Sequence, residues 1–194
     1  MKTALIYLAA GNSSRFGSNK LLYEIDGKPM YRHLLERLLA LCERCPKLSL
    51  FCVTQYEEIA EFSKNIGITA VISPDSTKGA SFSVKAGLTA VKASIPDTMR
   101  YVFFVADQPY LSANTVEAFL DAVKNSTKGI SCVCHNGETR NPVSFSAKYF
   151  SELMELEGDK GGKSVLKKHT EDLFLFEVSD ENELRDIDYF KQRI

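Results

Sequence analysis

Residues 8–20, LAAGNSSRFGSNK, follow directly on the apolar run ALIY at 4–7. An apolar run that stops at a Gly/Ser-rich, cationic loop is the outline of a buried strand feeding a ligand-binding turn. Gly11 and Gly17 admit backbone geometry closed to other residues, and Arg15 and Lys20 bring positive charge to the same loop. Two familiar phosphate loops are excluded by spacing. A P-loop has four residues between its glycines and Lys-Ser/Thr directly after the second, whereas here five intervene and Gly17 is followed by SNK. The dinucleotide fingerprint needs Gly-x-Gly-x-x-Gly, and no glycine lies between Gly11 and Gly17. What is left is broader chemistry: consecutive amides in a Gly/Ser turn make an anion-binding concavity that Arg15 and Lys20 can complete. A plain solvated loop is the competing reading.

Working outward, short apolar runs near 3–9, 48–54, 68–73, 101–106, 130–135, 142–146 and 173–178 read as strands, several of them apolar throughout, as buried strands are. Between them, leucines, valines and alanines recur at three- and four-residue steps at about 29–45, 56–66, 80–93, 113–125, 148–156 and 161–169, which predicts helices. Pro29 suits a first helical turn, and Ser112 or Asn114 suits a cap for the fourth helix. The alternation predicts a single α/β domain over 1–194: a Rossmann-like, mostly parallel twisted sheet of about seven strands with helices on both faces.

Bulk composition narrows the function classes. A chain of 194 residues suffices for one well-buried domain, and its net charge of −1 provides no general basic field for nucleic acid. No apolar run approaches the roughly 20 residues needed to span a bilayer, and no signal-peptide pattern opens the chain, so the expectation is a cytoplasmic protein without a membrane role. The five cysteines, at 42, 45, 52, 132 and 134, are an odd number and form no secreted disulfide framework. Cys42 and Cys45 have C-x-x-C spacing at the end of a leucine-rich helix without a second pair, which favours packing over metal; Cys132 and Cys134 alternate within a strand. His33, His135 and His169 stand alone and suggest no ligand set.

Open α/β sheets bind ligands beyond the carboxyl ends of their strands. The loop after the first strand lies there, and so does Asp107, at the end of the apolar run YVFFVADQP. A carboxylate in that place is a candidate Mg²⁺ ligand, since Mg²⁺ takes one or two protein carboxylates and fills its shell with phosphate and water; a turn-supporting Asp is the alternative. Asp186 and Asp188 share one side of an extended segment near the end of the chain, and either is a candidate for a second carboxylate. Taken alone, so late an acidic stretch reads as solvated surface.

LAAGNSSRFGSNKLLYEIDGKP, KGASFSVKAGL, ADQPYL, NPVSFS, LEGDKGGKSVL and DIDYF occur in that order. With these six segments the chain resembles, over nearly its whole length, the MobA/MocA-like nucleotidyltransferases of molybdenum cofactor biosynthesis, and within them the cytidylyltransferases. The resemblance implies a single-domain nucleotidyltransferase fold, with nucleotide bound by about residues 1–112 and the acceptor by about 113–194. It implies transfer of CMP from CTP to the terminal phosphate of molybdopterin, with Mg²⁺ as cofactor and pyrophosphate as leaving group. Arg15, Lys20 and Asp107 take the catalytic positions; Leu8, Ala9, Ala10, Gly11, Ser13, Ser14 and Ser81 join Arg15 and Lys20 in nucleotide binding. Ser81 stands equally as a helix cap or a ligand. Asp107 and Asp188 take the metal positions, and Asn141, Pro142, Asp159 and Gly161 belong to acceptor-side loops. A molybdoenzyme or its chaperone is the implied recipient of the product.

LAAG resembles the cytidylyl branch, where guanylyl members usually show LAGG, so Ala10 favours CTP over GTP by a one-methyl difference, worth about 1–3 kcal/mol. Phe16, Ala106 and Asn141 depart from the family's usual Met, Gly and His, and YFKQ replaces its Thr-Pro after DID; the phosphate and metal side matches better than the acceptor side. Two other readings stay open: the same chemistry with GTP, a sugar phosphate or an alcohol phosphate, and a non-catalytic accessory protein that binds nucleotide or cofactor.

Overall fold

A computed structural model describes residues 1–12 and 19–187. In chain order the elements are β1 (Thr3–Ala9), β2 (Glu24–Ile25), β3 (Lys28–Pro29), α1 (Met30–Arg44), β4 (Leu48–Thr54), α2 (Glu57–Asn65), β5 (Thr69–Ile72), α3 (Ala80–Ser94) and β6 (Arg100–Val105). There follow α4 (Ala113–Asn125), β7 (Ile130–His135), β8 (Glu138–Ser146), α5 (Phe150–Met154), α6 (Gly162–Lys168) and β9 (Leu173–Glu177). The main sheet has seven strands in the order β5-β4-β1-β6-β8-β7-β9. Pairing is parallel from β5 through β6 and between β7 and β9, and antiparallel where β8 meets β6 and β7. All seven expected strands and six expected helices are present, the mostly parallel single α/β domain among them.

Alternation along β1 explains why helices cover both faces. Leu5, Tyr7 and Ala9 point into a core with α1, α2 and α4, while Ala4 and Ile6 point into a second core with α3, α5 and α6. Tyr7 is among the largest side chains this arrangement fully buries; its hydroxyl donates to the Tyr31 carbonyl at 2.6 Å, and burial pushes its pKa well up. No helix among the described residues is long and apolar enough to cross a membrane.

Two tight turns add structure beyond the expected elements. Asp26-Gly27 joins β2 to β3 and Asn136-Gly137 joins β7 to β8, both residues of each pair having positive φ. Such pairs match the twist of a two-residue hairpin. The second turn corrects one expectation: Asn141 and Pro142 lie inside strand β8, which begins at Glu138, and do not form a loop. Among the cysteines, burial pushes the thiols of Cys42, Cys52 and Cys132 up to about 12, and no metal-holding group of three or more His, Cys, Asp or Glu occurs among the described residues. Cys52, Cys132 and Cys134 are buried in the two cores or beside them, and Cys42 packs against the first.

Asp172, just before β9, ties the far end of the sheet together. Its carboxylate accepts from the Gly129 amide at 2.9 Å and the Tyr149 hydroxyl at 2.6 Å, and pairs with Lys148 Nζ at 2.7 Å. Lys148, then Tyr149 and the Gly129 amide, hold the carboxyl well below the usual carboxylate range. A depressed folded pKa contributes stability that is fully present above the unfolded value, about 3.9, and is lost as pH falls through the folded value. Asp172→Asn is therefore expected to cost about 2 kcal/mol at pH 7. In paired urea titrations the difference from the parent should shrink below about pH 4; a difference constant from pH 7 to 3 would contradict this.

Candidate active site

The order β5-β4-β1-β6 puts a topological switch between β1 and β6, because the chain builds outward from β1 to β5 and then crosses back. Ligands of such sheets sit in the crevice beyond the strands' carboxyl ends at that switch. A cleft of about 450 Å³ opens there. The exit of β1 supplies Leu8, Ala10, Gly11 and Asn12; the exit of β6 supplies Val105, Ala106 and Asp107. The two exits are joined by the Ala106 amide, which donates to the Leu8 carbonyl at 3.1 Å. Lys20 closes one side, Ser76, Gly79 and Ser83 another, and Asp159 faces in from the chain's second half.

Lys20 and Asp107, 87 residues apart, meet here: Nζ donates to Oδ2 at 2.8 Å, with a second contact to the Ile187 carbonyl at 3.3 Å. Their side chains keep only 12% and 25% exposure, so water screens this pair less than a surface pair. Asp107 stands on a rigid mount. Its own carbonyl accepts from the Ile187 amide at 3.0 Å. Next to it, buried Gln108 donates to the Leu184 carbonyl at 3.0 Å, and Arg37 donates to the carbonyls of Pro109 and Leu111. Glu183 accepts from the Ser112 amide at 2.9 Å, while the Ser112 hydroxyl caps α4 by accepting from Thr115, as expected.

The opposite wall is a meeting of two loops. Gly79, with φ +137°, lets the start of α3 lie directly on Gly158 and Asp159, and the Ser81 amide donates to the Gly158 carbonyl at 3.0 Å. Ser81 is thus not a cap: Gly79 holds that position, Ser81 lies inside the helix, and its buried hydroxyl has no hydrogen-bond partner among the described residues. Behind it a hydroxyl chain runs from Ser83 to Ser76 at 2.7 Å and on to Ser73 at 2.9 Å.

Among the expected site residues, Leu8, Ala10, Gly11, Lys20, Asp107 and Asp159 line this one cleft. Ala9 lies just beneath, fully buried. Asp159, expected in a loop apart from the others, thereby shares one cleft with the exits of β1 and β6. Gly161 precedes α6 at its N-cap, and Asn141 and Pro142 sit in β8. Ser13, Ser14, Arg15 and Asp188 lie outside the described residues. Asp186 is described, in a polar cleft of about 360 Å³ with Arg140, Glu181, Asn182 and Arg185. Gly11 corrects another expectation: its backbone is not left-handed, and a Cβ there would meet none of the described atoms within 4 Å. None of the described residues demands glycine at this position, which lines the cleft. A further cavity of about 460 Å³ lies at the other end of the sheet, beside the starts of β1 and β4, where Arg44 pairs with Glu117 at 2.7 Å.

A sheet-end cleft with a lysine and a carboxylate facing each other beyond two parallel strands is where open α/β proteins bind ligands, and comparison with known proteins gives the class. Residues 5–173 match the MobA-like NTP transferase domain, and the chain belongs to that family of nucleotidyltransferases. It is 28% identical to the purine catabolism protein PucB of Bacillus subtilis over 94% of this chain and 90% of that one. It is 26% identical to a probable molybdenum cofactor guanylyltransferase of Pyrococcus horikoshii, over 86% of this chain and 79% of that one. Among solved structures, a nucleotidyl transferase from Methanothermobacter superposes with a TM-score of 0.76 at 16% identity, covering 97% of this chain and 92% of the other, which shows the shared fold.

Proposed function

We propose that this nucleotidyltransferase moves CMP from CTP to the terminal phosphate of a molybdopterin-type acceptor, releasing pyrophosphate. The observation that carries the reading is the convergence of Lys20 and Asp107 at the β1/β6 switch, in one cleft with the LAAG backbone. An acceptor phosphate oxygen forms a bond to the α-phosphorus, the bond from that phosphorus to the bridging oxygen breaks, and its electron pair leaves with pyrophosphate. The attacking group is already an anion. No general base is required, and the cleft's described walls hold no histidine or cysteine to serve as one.

What the step requires is neutralised charge and an in-line arrangement. Lys20 and the backbone of Ala9 to Asn12 are the described part of the proposed phosphate seat, and Ser13, Ser14 and Arg15, outside the described residues, belong to the same proposal. Nucleotidyltransferases of this kind typically work with a divalent metal. Asp107 fits that group: a rigidly mounted carboxylate at the cleft wall, suited to Mg²⁺, which needs few protein oxygens when phosphate and water complete its shell. When bound, Mg²⁺ supplies Lewis-acid stabilisation of the charge developing on the phosphates. Asp188 is the proposed second carboxylate. Lys20 and Asp107 pair at 2.8 Å in the cleft, where Asp107 would hold the divalent cation and Lys20 would donate to the phosphates.

Ala10 in LAAG, where a glycine would admit a larger base, supports CTP; the likeness to guanylyltransferases favours GTP as the second reading. The nucleotide side spans about residues 1–112 and the acceptor side about 113–194, with Asp159 reaching across to the nucleotide cleft. Asn141, Pro142 and Gly161 complete the acceptor side. A CTP-dependent reaction of this kind belongs in the cytoplasm.

The deciding experiment measures pyrophosphate release from each of the four common nucleoside triphosphates, with and without molybdopterin. CTP with molybdopterin should exceed every other combination by at least about tenfold. A GTP preference reassigns the base. Release only with a sugar or alcohol phosphate reassigns the acceptor, and tight nucleotide binding without release leaves an accessory protein.

A further inference from the structure

Three consecutive carbonyls leave β1, and three consecutive side chains leave β4 to meet them. The Thr54 hydroxyl donates to the Ala9 carbonyl at 2.8 Å, Gln55 Nε2 to the Ala10 carbonyl at 2.7 Å, and the Tyr56 hydroxyl to the Gly11 carbonyl at 2.6 Å. The parallel ladder ends at the Ala9/Thr54 pair, beyond which the two chains diverge into loop and helix. Past that point the backbone of residues 10 and 11 has no ladder partner on this side, and the side chains of 55 and 56 continue the pairing in its place.

We infer that Gln55 and Tyr56, braced by Thr54, form a positioning clasp that presets the nucleotide loop before substrate arrives. A trans peptide places its N–H opposite its carbonyl. Pinning the carbonyls of 9, 10 and 11 therefore also fixes the amides of Ala10, Gly11 and Asn12, the residues that enter the cleft. The clasp has a rigid base: the Thr54 hydroxyl also accepts from the Tyr56 amide at 3.1 Å, and Thr54 is fully buried. It also reaches across the cleft's rim. Gln55 Nε2 holds Asn12 Oδ1 at 3.0 Å, and Asn12 Nδ2 donates to the Thr77 carbonyl at 2.8 Å, in the turn that leads to Gly79. One glutamine amide thus links the loop's backbone to the opposing wall.

None of the three side chains is among the residues that line the cleft, so the clasp acts through the loop and not on the reacting atoms. Its contribution is preorganisation: where only a fraction of molecules holds the competent loop, the apparent dissociation constant rises by the inverse of that fraction. The kinetic part of this inference rests on the nucleotidyl-transfer reading; the structural part does not.

Both parts are tested with Gln55→Leu, Tyr56→Phe and the double variant. Hydrogen–deuterium exchange of the ligand-free protein should be faster at the amides of residues 10–12, by about tenfold in the double variant, with α3 and α4 unchanged. KM for the preferred nucleoside triphosphate should rise about tenfold in the double variant while kcat stays within about twofold, a split that general destabilisation would not produce. Unchanged exchange at 10–12 overturns the clasp, and so does a fall in kcat at constant KM. If the unsubstituted protein releases pyrophosphate from no nucleoside triphosphate, the nucleotidyl-transfer reading fails, and the exchange rates alone decide the clasp.

Discussion

Asp107→Ala is expected to reduce pyrophosphate release by about a thousandfold or more while the protein still folds. The size follows from the proposed role: if Asp107 holds the cation, its loss removes several kcal/mol of transition-state charge stabilisation, and each 1.36 kcal/mol is tenfold in rate. The fold should survive because the turn is held by groups the substitution leaves in place. The main-chain bond between Asp107 and Ile187, the Gln108 contact to Leu184 and the Arg37 contacts to Pro109 and Leu111 all remain. The Lys20 ammonium keeps the Ile187 carbonyl. Asp107→Asn is the sharper variant, since it retains shape and hydrogen bonding and removes only the charge. Turnover and thermal melting measured together decide the matter: near-parental turnover in the Asn variant would remove Asp107 from the chemistry, while normal melting with lost turnover supports its role.

The switch-point rule made Asp107 and Lys20 readable together before any coordinates, because both follow apolar strands on the side where such sheets bind ligands. Strand and helix positions were similarly legible, since burial on both sheet faces writes long apolar runs and helices write a three-to-four step. Strand order was not, because it depends on which distant runs pair. The Asn136-Gly137 turn was within reach: the dipeptide between two apolar runs is the hairpin signal, and it would have drawn β8 back through Asn141 and Pro142. Arg37, Gln108, Gln55 and Tyr56 were missed for a different reason. Each works by donating to main-chain carbonyls of another segment, and carbonyl acceptors are present at every residue, so no spacing or composition marks the match. Asp159 was visible as a turn residue. Its place in the cleft follows only from the packing of its loop on Gly79.

That packing sets the second large effect. Gly79→Ala is expected to destabilise the fold by about 3 kcal/mol and to weaken nucleotide binding in whatever folded protein remains. A Cβ on Gly79 would collide with the Gly158 carbonyl oxygen and carbon and lie 2.9 Å from the Asp159 amide nitrogen. These are backbone atoms, which yield only if the whole 158–159 turn moves. The φ of +137° adds a second cost, because L side chains rarely adopt it. Relief of the collision would pull Gly158 from the Ser81 amide and carry Asp159 out of the cleft, coupling stability to the binding wall. Gly158→Ala separates the two causes. Gly158 also has positive φ, +55°, but a Cβ there meets none of the described atoms within 4 Å, so that variant should bear only the left-handed strain, about 1 kcal/mol. Urea unfolding of both variants gives the comparison. If Gly79→Ala proves no less stable than Gly158→Ala, the two loops do not press on one another, and the wall that brings Asp159 into the cleft is not built by Gly79.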